Sequence, residues 1–127
     1  DNLAASAEFA RSLAAKLGAV VAITGAIDIV ASADRAVAIR NGVATMGKIT
    51  GTGCMLTCVA AAYAVANPDD VFGATVAAVA GHGLAGEVAA ARMAPADGNG
   101  SFRTYLLDAI CTMSADRLMA GAKIEEL

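Results

Sequence analysis

The segment Lys48-Ile49-Thr50-Gly51-Thr52-Gly53-Cys54 places two glycines immediately before an uncharged apolar stretch, residues 55–66. Glycine lets the backbone turn tightly and approach a ligand closely. The stretch that follows predicts a helix, and the first N–H groups of a helix lack internal partners and carry the positive end of its dipole. The sequence therefore predicts an anion-binding site in which a tight turn meets a helix N-terminus.

Cys54 lies at the start of this predicted helix, where a thiol is favoured as the thiolate. One short turn would then hold a phosphate and present a base, so the pattern suggests phosphoryl transfer with Cys54 as a catalytic residue. Two structural alternatives stand beside this hypothesis: an ordinary strand-to-helix connection, and a small buried hydrophobic cysteine. The pattern is neither a Walker loop nor a dinucleotide fingerprint, because no Gly-Lys-Ser/Thr follows and Leu56 stands where a third glycine is required.

The first quarter of the chain predicts one helix followed by one strand. Leucines and alanines recur at helical spacing over residues 3–17, and Gly18 is a plausible stop. Residues 19–23 form a continuous apolar run, which is typical of a strand buried on both faces. Thr24-Gly25 breaks this run, at the place where the carboxyl end of a parallel strand usually meets a ligand.

The rest of the chain predicts a hairpin and three further helices, so the fold class is α/β. The predicted elements are a hairpin of residues 27–31 with 36–39, a buried core helix over 54–66, a long helix over about 71–93, a last helix over about 101–119, and a solvated tail over 123–127. Asp28 and Glu87 are interpreted as solvent-side carboxylates on a strand and a helix.

The charge and the cysteine content of the chain exclude some classes of function. The net charge of −3, with scattered Lys and Arg, provides no basic face for nucleic acid or for an anionic membrane. Residues 54–66 fall well short of the roughly 20 residues that span a bilayer. The odd set Cys54, Cys58 and Cys111 lacks framework spacing and favours a reducing, cytoplasmic compartment. His82 has no neighbouring Cys or His to complete a metal site, so we interpret it as a packing or subunit-contact residue.

Several short blocks occur in a fixed order along the chain. They are Val20-Val21-Ala22-Ile23-Thr24-Gly25, Asn41-Gly42, Lys48-Ile49-Thr50-Gly51-Thr52-Gly53-Cys54, Gly100-Ser101-Phe102 and Leu106-Leu107-Asp108-Ala109. In order and spacing they resemble the C-terminal half of the hydroxyethylthiazole kinase family, within the ribokinase-like superfamily. The resemblance implies a layered sheet-and-helix kinase fold, with residues 1–127 as the C-terminal portion of a single ribokinase-like domain.

The resemblance also implies a reaction and a set of site residues. Family members use ATP and Mg²⁺ to phosphorylate the hydroxyl of 4-methyl-5-(2-hydroxyethyl)thiazole in thiamine biosynthesis and salvage, and they assemble as homotrimers with sites between subunits. By resemblance, the anion hole consists of Gly51, Thr52, Gly53 and Cys54. Cys54 would act near the substrate hydroxyl, Gly51 would contact the thiazole alcohol and Thr24 would contact ATP. No metal ligand is assigned in this half.

Two alternative functions stay open. A phosphomethylpyrimidine kinase has a similar Gly-Thr-Gly-Cys turn, although Gly100-Ser101-Phe102 favours the thiazole kinase. The chain would otherwise be a non-catalytic half that binds anions or assembles with a partner chain. For each of these functions we expect that the chain needs further protein to be active. A strand over residues 19–23 needs neighbouring strands and helices that this sequence supplies only in part. A missing N-terminal half or a homo-oligomer would supply them.

Overall fold

Ten secondary-structure elements make up the fold in the computed structural model, which describes residues 2–127. In chain order they are α1 (Leu3–Leu17), β1 (Val21–Ile23), β2 (Asp28–Ala31), β3 (Ala36–Ile39), a 3-10 turn (Ala44–Lys48), α2 (Thr52–Ala66), α3 (Val71–Arg92), α4 (Asn99–Cys111), α5 (Ala115–Gly121) and β4 (Ile124–Glu126).

The sheet has the order β1-β2-β3-β4, and every neighbouring pair is antiparallel. Alternation along the two central strands gives the sheet two apolar faces. One face packs Ile29 and Ala31 against the alanine stripe of α1, and the other packs Val30 and Val37 against Val79 of α3. The sheet is thus a middle layer between two helices, as the predicted α/β class requires.

The local predictions for α1 and the hairpin are confirmed. Asn2 caps α1 by accepting a hydrogen bond from the Ala5 N–H, and Gly18 ends the helix with a φ of 62°, which glycine adopts without strain. Strands β2 and β3 pair through a turn in which the Ser32 N–H donates to the Arg35 carbonyl.

The prediction that residues 19–23 are buried on both faces is wrong for this chain. Strand β1 lies at the edge of the sheet, pairs antiparallel with β2, and leaves Ala22 exposed. A continuous apolar run reports only the absence of charge and does not reveal which neighbours a strand has. Within residues 2–127, the outer edge of β1 is unpaired.

The prediction of a solvated tail over residues 123–127 is wrong in its secondary structure. Residues 124–126 form β4, which pairs with β3 so that Val37 faces Glu126. The glutamates are exposed, as their charge suggests, and they form ion pairs across the strands, Arg40 with Glu125 at 2.9 Å and Arg35 with Glu126 at 2.6 Å. The backbone pairing joins residues more than 80 positions apart, which no local pattern reveals.

The predicted last helix consists of two helices. Helix α4 ends at Cys111, and α5 begins after Ser114, whose hydroxyl accepts a hydrogen bond from the Arg117 N–H. Serine is a favoured N-cap because its side chain satisfies an otherwise unpaired backbone donor. The break therefore has a local cause, the cap at Ser114.

The buried helix of the fold is α3, and the prediction that residues 54–66 form a buried core helix is wrong. None of the residues of α2 is fully buried, and Val65 is 81% exposed. Helix α3 is instead packed on several sides, against the sheet and against Phe102 and Leu106 of α4. Its length and composition would allow it to cross a membrane, but 61% of its most apolar stretch is buried inside the fold.

Candidate functional site

The turn before α2 has the predicted form of an anion site. Gly51 has a φ of 95°, a left-handed conformation that side chains disfavour, and no side chain caps the helix. The first bond of the helix runs from the Met55 N–H to the Gly51 carbonyl. Among residues 2–127, the N–H groups of Thr52, Gly53 and Cys54 therefore have no hydrogen-bond acceptor. Unpaired donors at the positive end of a 15-residue helix favour an anion.

A cavity of about 460 Å³ lies beside this turn. Four segments line it: the loop after β1, the stretch that begins with Asn41-Gly42 and runs to Gly47, the first turn of α2, and His82-Gly83 in α3. The cavity thus lies between the sheet and two helices, where ligand pockets commonly form.

The predicted site residues divide into two groups around the turn. Thr24, Thr52 and Gly53 line the cavity together, although Thr24 is 28 positions from Thr52 in sequence. Gly51 and Cys54 do not line it, and the Cys54 side chain is exposed. The Thr52 hydroxyl donates to the Met46 carbonyl at 3.2 Å and so ties the helix start to the preceding 3-10 turn. The turn therefore contributes Thr52 and Gly53 to the cavity lining, and the loop after β1 contributes Thr24.

Asp28 fixes the loop that carries Thr24. Its carboxylate accepts a hydrogen bond from the Gly25 N–H at 2.8 Å. Burial raises the pKa of Asp28, and the Gly25 N–H offsets part of that rise. The sequence interpretation as a solvent-side carboxylate is incomplete, because Asp28 is half-buried and lines the cavity.

A buried amide anchors the Asn41-Gly42 wall of the cavity. Asn41 is 6% exposed, and its side-chain NH₂ donates to Glu87 at 3.1 Å and to the Gly121 carbonyl at 2.9 Å. Its side-chain oxygen accepts from the Lys123 N–H at 2.8 Å. Every hydrogen bond of this side chain joins segments that lie far apart in sequence.

Glu87 completes this network and is not an ordinary surface charge. It accepts hydrogen bonds from the Gly42 N–H at 3.0 Å and from the Lys123 ammonium at 2.9 Å. Burial acts to raise the pKa of Glu87, but hydrogen bonds from Lys123, Gly42 and Asn41 outweigh it and hold the pKa below its usual value. Sequence reasoning missed this role, although a single acid within the apolar helix α3 was a usable signal.

Gly83 lets α3 approach this wall closely. A Cβ atom at residue 83 would lie 2.7 Å from the Asn41 carbonyl carbon and 2.8 Å from its oxygen. Any larger side chain would therefore have to displace backbone atoms. The glycine in Gly81-His82-Gly83 is required here by close packing.

His82 is buried in the cavity wall without a hydrogen-bond partner. The residue is 5% exposed, and neither ring nitrogen forms a hydrogen bond within residues 2–127. Burial lowers the pKa of His82, and the nearby Thr52 backbone raises it only in part, without reaching hydrogen-bond geometry. The prediction of a packing residue fits the burial but not the unsatisfied nitrogens.

The part of the chain that the structure describes offers no group of three or more His, Cys, Asp or Glu side chains placed to hold a metal ion. The three cysteines are free and exposed. Among the residues that line the cavity, Asp28 is the single carboxylate. The donors that the site does offer are backbone N–H groups and hydroxyls, which suit an anion better than a cation.

Together the fold and the cavity define an α/β protein with a cavity beside an uncapped helix entrance. Comparisons with known proteins agree with this class and identify the family. The model of the hydroxyethylthiazole kinase family matches residues 1–116. The hydroxyethylthiazole kinases of Clostridium acetobutylicum and Rhizobium johnstonii are 46% and 48% identical over 125 and 115 residues, which are 98% and 91% of this chain. This chain therefore belongs to the hydroxyethylthiazole kinase family.

A solved structure supports the same assignment. The hydroxyethylthiazole kinase protein from Pyrococcus horikoshii OT3 superposes with a TM-score of 0.87 over 97% of this chain, at 29% sequence identity. The resemblance deduced from the sequence blocks and the ribokinase-like α/β fold class are thereby confirmed. The chain spans 46% of the length of the C. acetobutylicum relative, 42% of the R. johnstonii relative and 46% of the P. horikoshii chain.

Proposed function

We propose that this chain is the C-terminal portion of a single-domain cytoplasmic kinase. The kinase transfers a phosphoryl group from ATP to the hydroxyl of 4-methyl-5-(2-hydroxyethyl)thiazole, in thiamine biosynthesis and salvage. The observation that carries the proposal is the uncapped start of α2. Three free N–H groups at that helix entrance lie beside a cavity of about 460 Å³, in a chain that belongs to the hydroxyethylthiazole kinase family.

The chemistry of this chain is electrostatic positioning of a phosphoryl group. Gly51, Thr52, Gly53 and Cys54 form the anion hole, and the N–H groups of the last three donate to phosphate oxygens. Such preorganised donors, together with the helix dipole, stabilise the charge that spreads over the transferring group. Thr24 also lines the cavity and contacts ATP there, and Asp28 holds the loop that carries Thr24 in place.

The lining of the cavity supports a separate place for each of the two substrates. Thr52 and Gly53 line the cavity, whereas Gly51 and Cys54 do not. We therefore assign the cavity to the nucleotide and the outer side of the turn to the thiazole alcohol. Gly51 contacts this alcohol, and Cys54 is the catalytic residue that assists removal of the proton from its hydroxyl.

Mg²⁺ is the second cofactor of the proposed reaction. Within residues 2–127 no cluster of metal-ligating side chains occurs, and Asp28 is the one carboxylate in the cavity lining. Mg²⁺ prefers octahedral coordination by oxygen ligands and commonly bridges phosphates. The protein ligands of the metal belong to the remaining part of the domain.

Exposed apolar surfaces support the proposal that further protein covers this chain. Helix α2 exposes four residues at helical spacing: Cys54, Cys58, Ala61 and Val65. The outer edge of β1 has no partner among the described residues. We assign both surfaces to contacts with the missing N-terminal half or with neighbouring subunits of a homotrimer.

The test is a phosphotransfer assay with two alcohols. The 127-residue chain is incubated with ATP and Mg²⁺, alone and joined to the remaining half of the C. acetobutylicum relative, and light scattering gives its oligomeric state. We expect product from the thiazole alcohol in the joined protein and very little from the isolated chain. Product only from the pyrimidine alcohol would replace the thiazole kinase with a pyrimidine kinase. Nucleotide binding without turnover in the joined protein would indicate a non-catalytic anion-binding role instead. A monomer with full turnover would overturn the claim of incompleteness.

A matched pair of variants tests the anion hole itself. Gly53 in α2 and Gly100 in α4 are each the second residue of a helix, and no other part of the fold lies within 4 Å of a Cβ built on either. Gly100 does not line the cavity, so Gly100→Val is the control for Gly53→Val. Gly53→Val should weaken binding of a non-hydrolysable ATP analogue in titration calorimetry, because the valine blocks the approach of phosphate to the helix entrance. Equal affinities of the parent and a folded Gly53→Val protein would contradict the assignment.

A further inference from the structure

Glu87 is a charged side chain on the otherwise apolar middle of α3. It is the single acidic residue of that helix, and 23% of its side chain is exposed. Withdrawing a carboxylate from water costs free energy unless hydrogen bonds replace the lost solvation. An apolar residue would avoid that cost, so the contacts of the carboxylate indicate what it does at this position.

The two oxygens of this carboxylate have different partners. Oε1 accepts from the Gly42 N–H at 3.0 Å and from the Asn41 side-chain NH₂ at 3.1 Å. Oε2 accepts from the Lys123 ammonium at 2.9 Å. One oxygen therefore holds the cavity wall, and the other holds the residue that precedes β4.

Gly42 relies on a contact from outside its own segment to keep its peptide group oriented. Its φ of 121° lies in a region that glycine enters freely, so the local sequence does not by itself select this conformation. The peptide group that joins Asn41 to Gly42 is instead fixed through its N–H, which donates to Glu87. Residues 42–44 continue from there along the cavity. Glu87 thus sets the direction in which the chain enters this wall.

Glu87 does not itself line the cavity, whereas Asn41 and Gly42 do. We propose that Glu87 is a positioning residue of the nucleotide site, and that its Oε1 orients the Asn41-Gly42 wall before the nucleotide binds. The inference rests on the proposed function in one respect, the assignment of the cavity to the nucleotide. A wall that is ordered in advance lowers the entropic cost of binding.

The charge of Glu87 and its reach to the wall have opposite effects on binding. A negative charge behind the wall repels a polyphosphate, so its removal alone should leave nucleotide affinity equal or slightly higher. Glu87→Gln removes the charge but keeps an oxygen that accepts from the Gly42 N–H. Its affinity for a non-hydrolysable ATP analogue should therefore equal or exceed that of the parent.

Two other variants remove the reach. Glu87→Met loses the acceptor together with the charge, and its affinity should fall by about three- to tenfold because the wall must be ordered on binding. Glu87→Asp keeps the charge but is one methylene shorter, so its affinity should fall as well. This variant decides the question if Glu87→Met does not fold.

Glu125→Met is the matched control. Glu125 also forms an ion pair at 2.9 Å, with Arg40, and it is exposed and does not line the cavity. Its replacement removes an acid and an ion pair of β4 without touching the Gly42 N–H. The affinity of this variant should equal that of the parent.

The experiment combines titration calorimetry of the full 127-residue chain with hydrogen exchange of the Gly42 amide, followed by ¹⁵N NMR without ligand. That amide should be protected in the parent and in Glu87→Gln, and it should exchange faster in Glu87→Met and Glu87→Asp. This measurement reports the orientation of the wall independently of any nucleotide.

The outcomes separate the inference from the proposed function. Parent affinity in folded Glu87→Met and Glu87→Asp proteins, while Gly53→Val loses binding, would overturn the role of Glu87 and leave the function standing. Equal losses in Glu87→Gln and Glu87→Met would also overturn it, because the effect would then come from the ion pair with Lys123. The expected pattern of affinities without phosphotransfer in the joined protein would support the inference and contradict the function. No binding of the analogue by the parent would overturn both.

Discussion

Alanine substitutions at Gly81 and Gly83 provide a matched test of how closely α3 packs against the cavity wall. Both residues lie in the interior of the same helix, so each substitution gains about 0.5–1 kcal/mol of helix stability. A Cβ at residue 81 meets its nearest neighbour, the Tyr63 hydroxyl, at an ordinary 3.7 Å. At residue 83 it would lie 2.7 Å from the Asn41 carbonyl carbon, which is backbone and cannot rotate away.

The two variants should therefore differ by the cost of overpacking, about 1–3 kcal/mol in the free energy of unfolding. For a chain of this size, that corresponds to a difference of about 3–15 °C in melting temperature. Thermal and urea unfolding followed by circular dichroism would measure it, with Gly81→Ala expected above the parent and Gly83→Ala at or below it. Gly83→Ala should also weaken binding of the ATP analogue, because Asn41 moves. If Gly83→Ala is as stable as Gly81→Ala, the packing described for this wall is wrong.

Three further predictions concern the turn and its surroundings. In the joined protein, Cys54→Ala should keep nucleotide binding and lower turnover by about 10²–10⁴-fold. Cys111→Ala, at the end of α4 and also exposed, should leave turnover unchanged; equal rates for the two variants would remove the catalytic role of Cys54. Gly51→Ala should destabilise the chain by about 1–2 kcal/mol in urea unfolding, because alanine disfavours a φ of 95°. The pKa of His82 lies below its ordinary 6.5 in the folded chain, so the unfolded chain binds more protons between the two values. Stability should therefore be fully present above the unfolded pKa of about 6.5 and fall as the pH drops below it, and His82→Leu should lose this dependence.

Features set by neighbouring residues could be predicted from the sequence. Helix α1 was predictable because its apolar stripe recurs within one segment and Gly18 follows at once. The hairpin of β2 and β3 was predictable because a short polar turn separates two apolar runs. The glycine turn before α2 was predictable for the same reason, since two glycines and the helix they precede are contiguous. Each of these signals lies within about 20 residues.

Features that depend on distant partners could not be predicted in this way. Strand β4 exists because residues 124–126 meet β3, and their charged sequence describes only their exposed side chains. The Asn41 network joins residues 46 and 82 positions apart, so Glu87 looked like any surface acid. The absence of charge on α2 predicted its burial, although the helix is exposed in this chain. An uncharged helix does not reveal whether the surface that covers it lies in the same chain.

The hydrogen bonds that anchor Asn41 can form only late in synthesis of the chain. Two of the three partners of the Asn41 side chain, Gly121 and Lys123, are synthesised about 80 residues later than Asn41 itself. At about 5–20 residues per second, the nascent chain spends roughly 4–16 seconds with this amide unanchored and with one edge of β3 bare. An open strand edge invites pairing with other chains, so this interval is when chaperone protection matters most. The cavity wall that contains Asn41 and Gly42 would be complete only after that edge has closed.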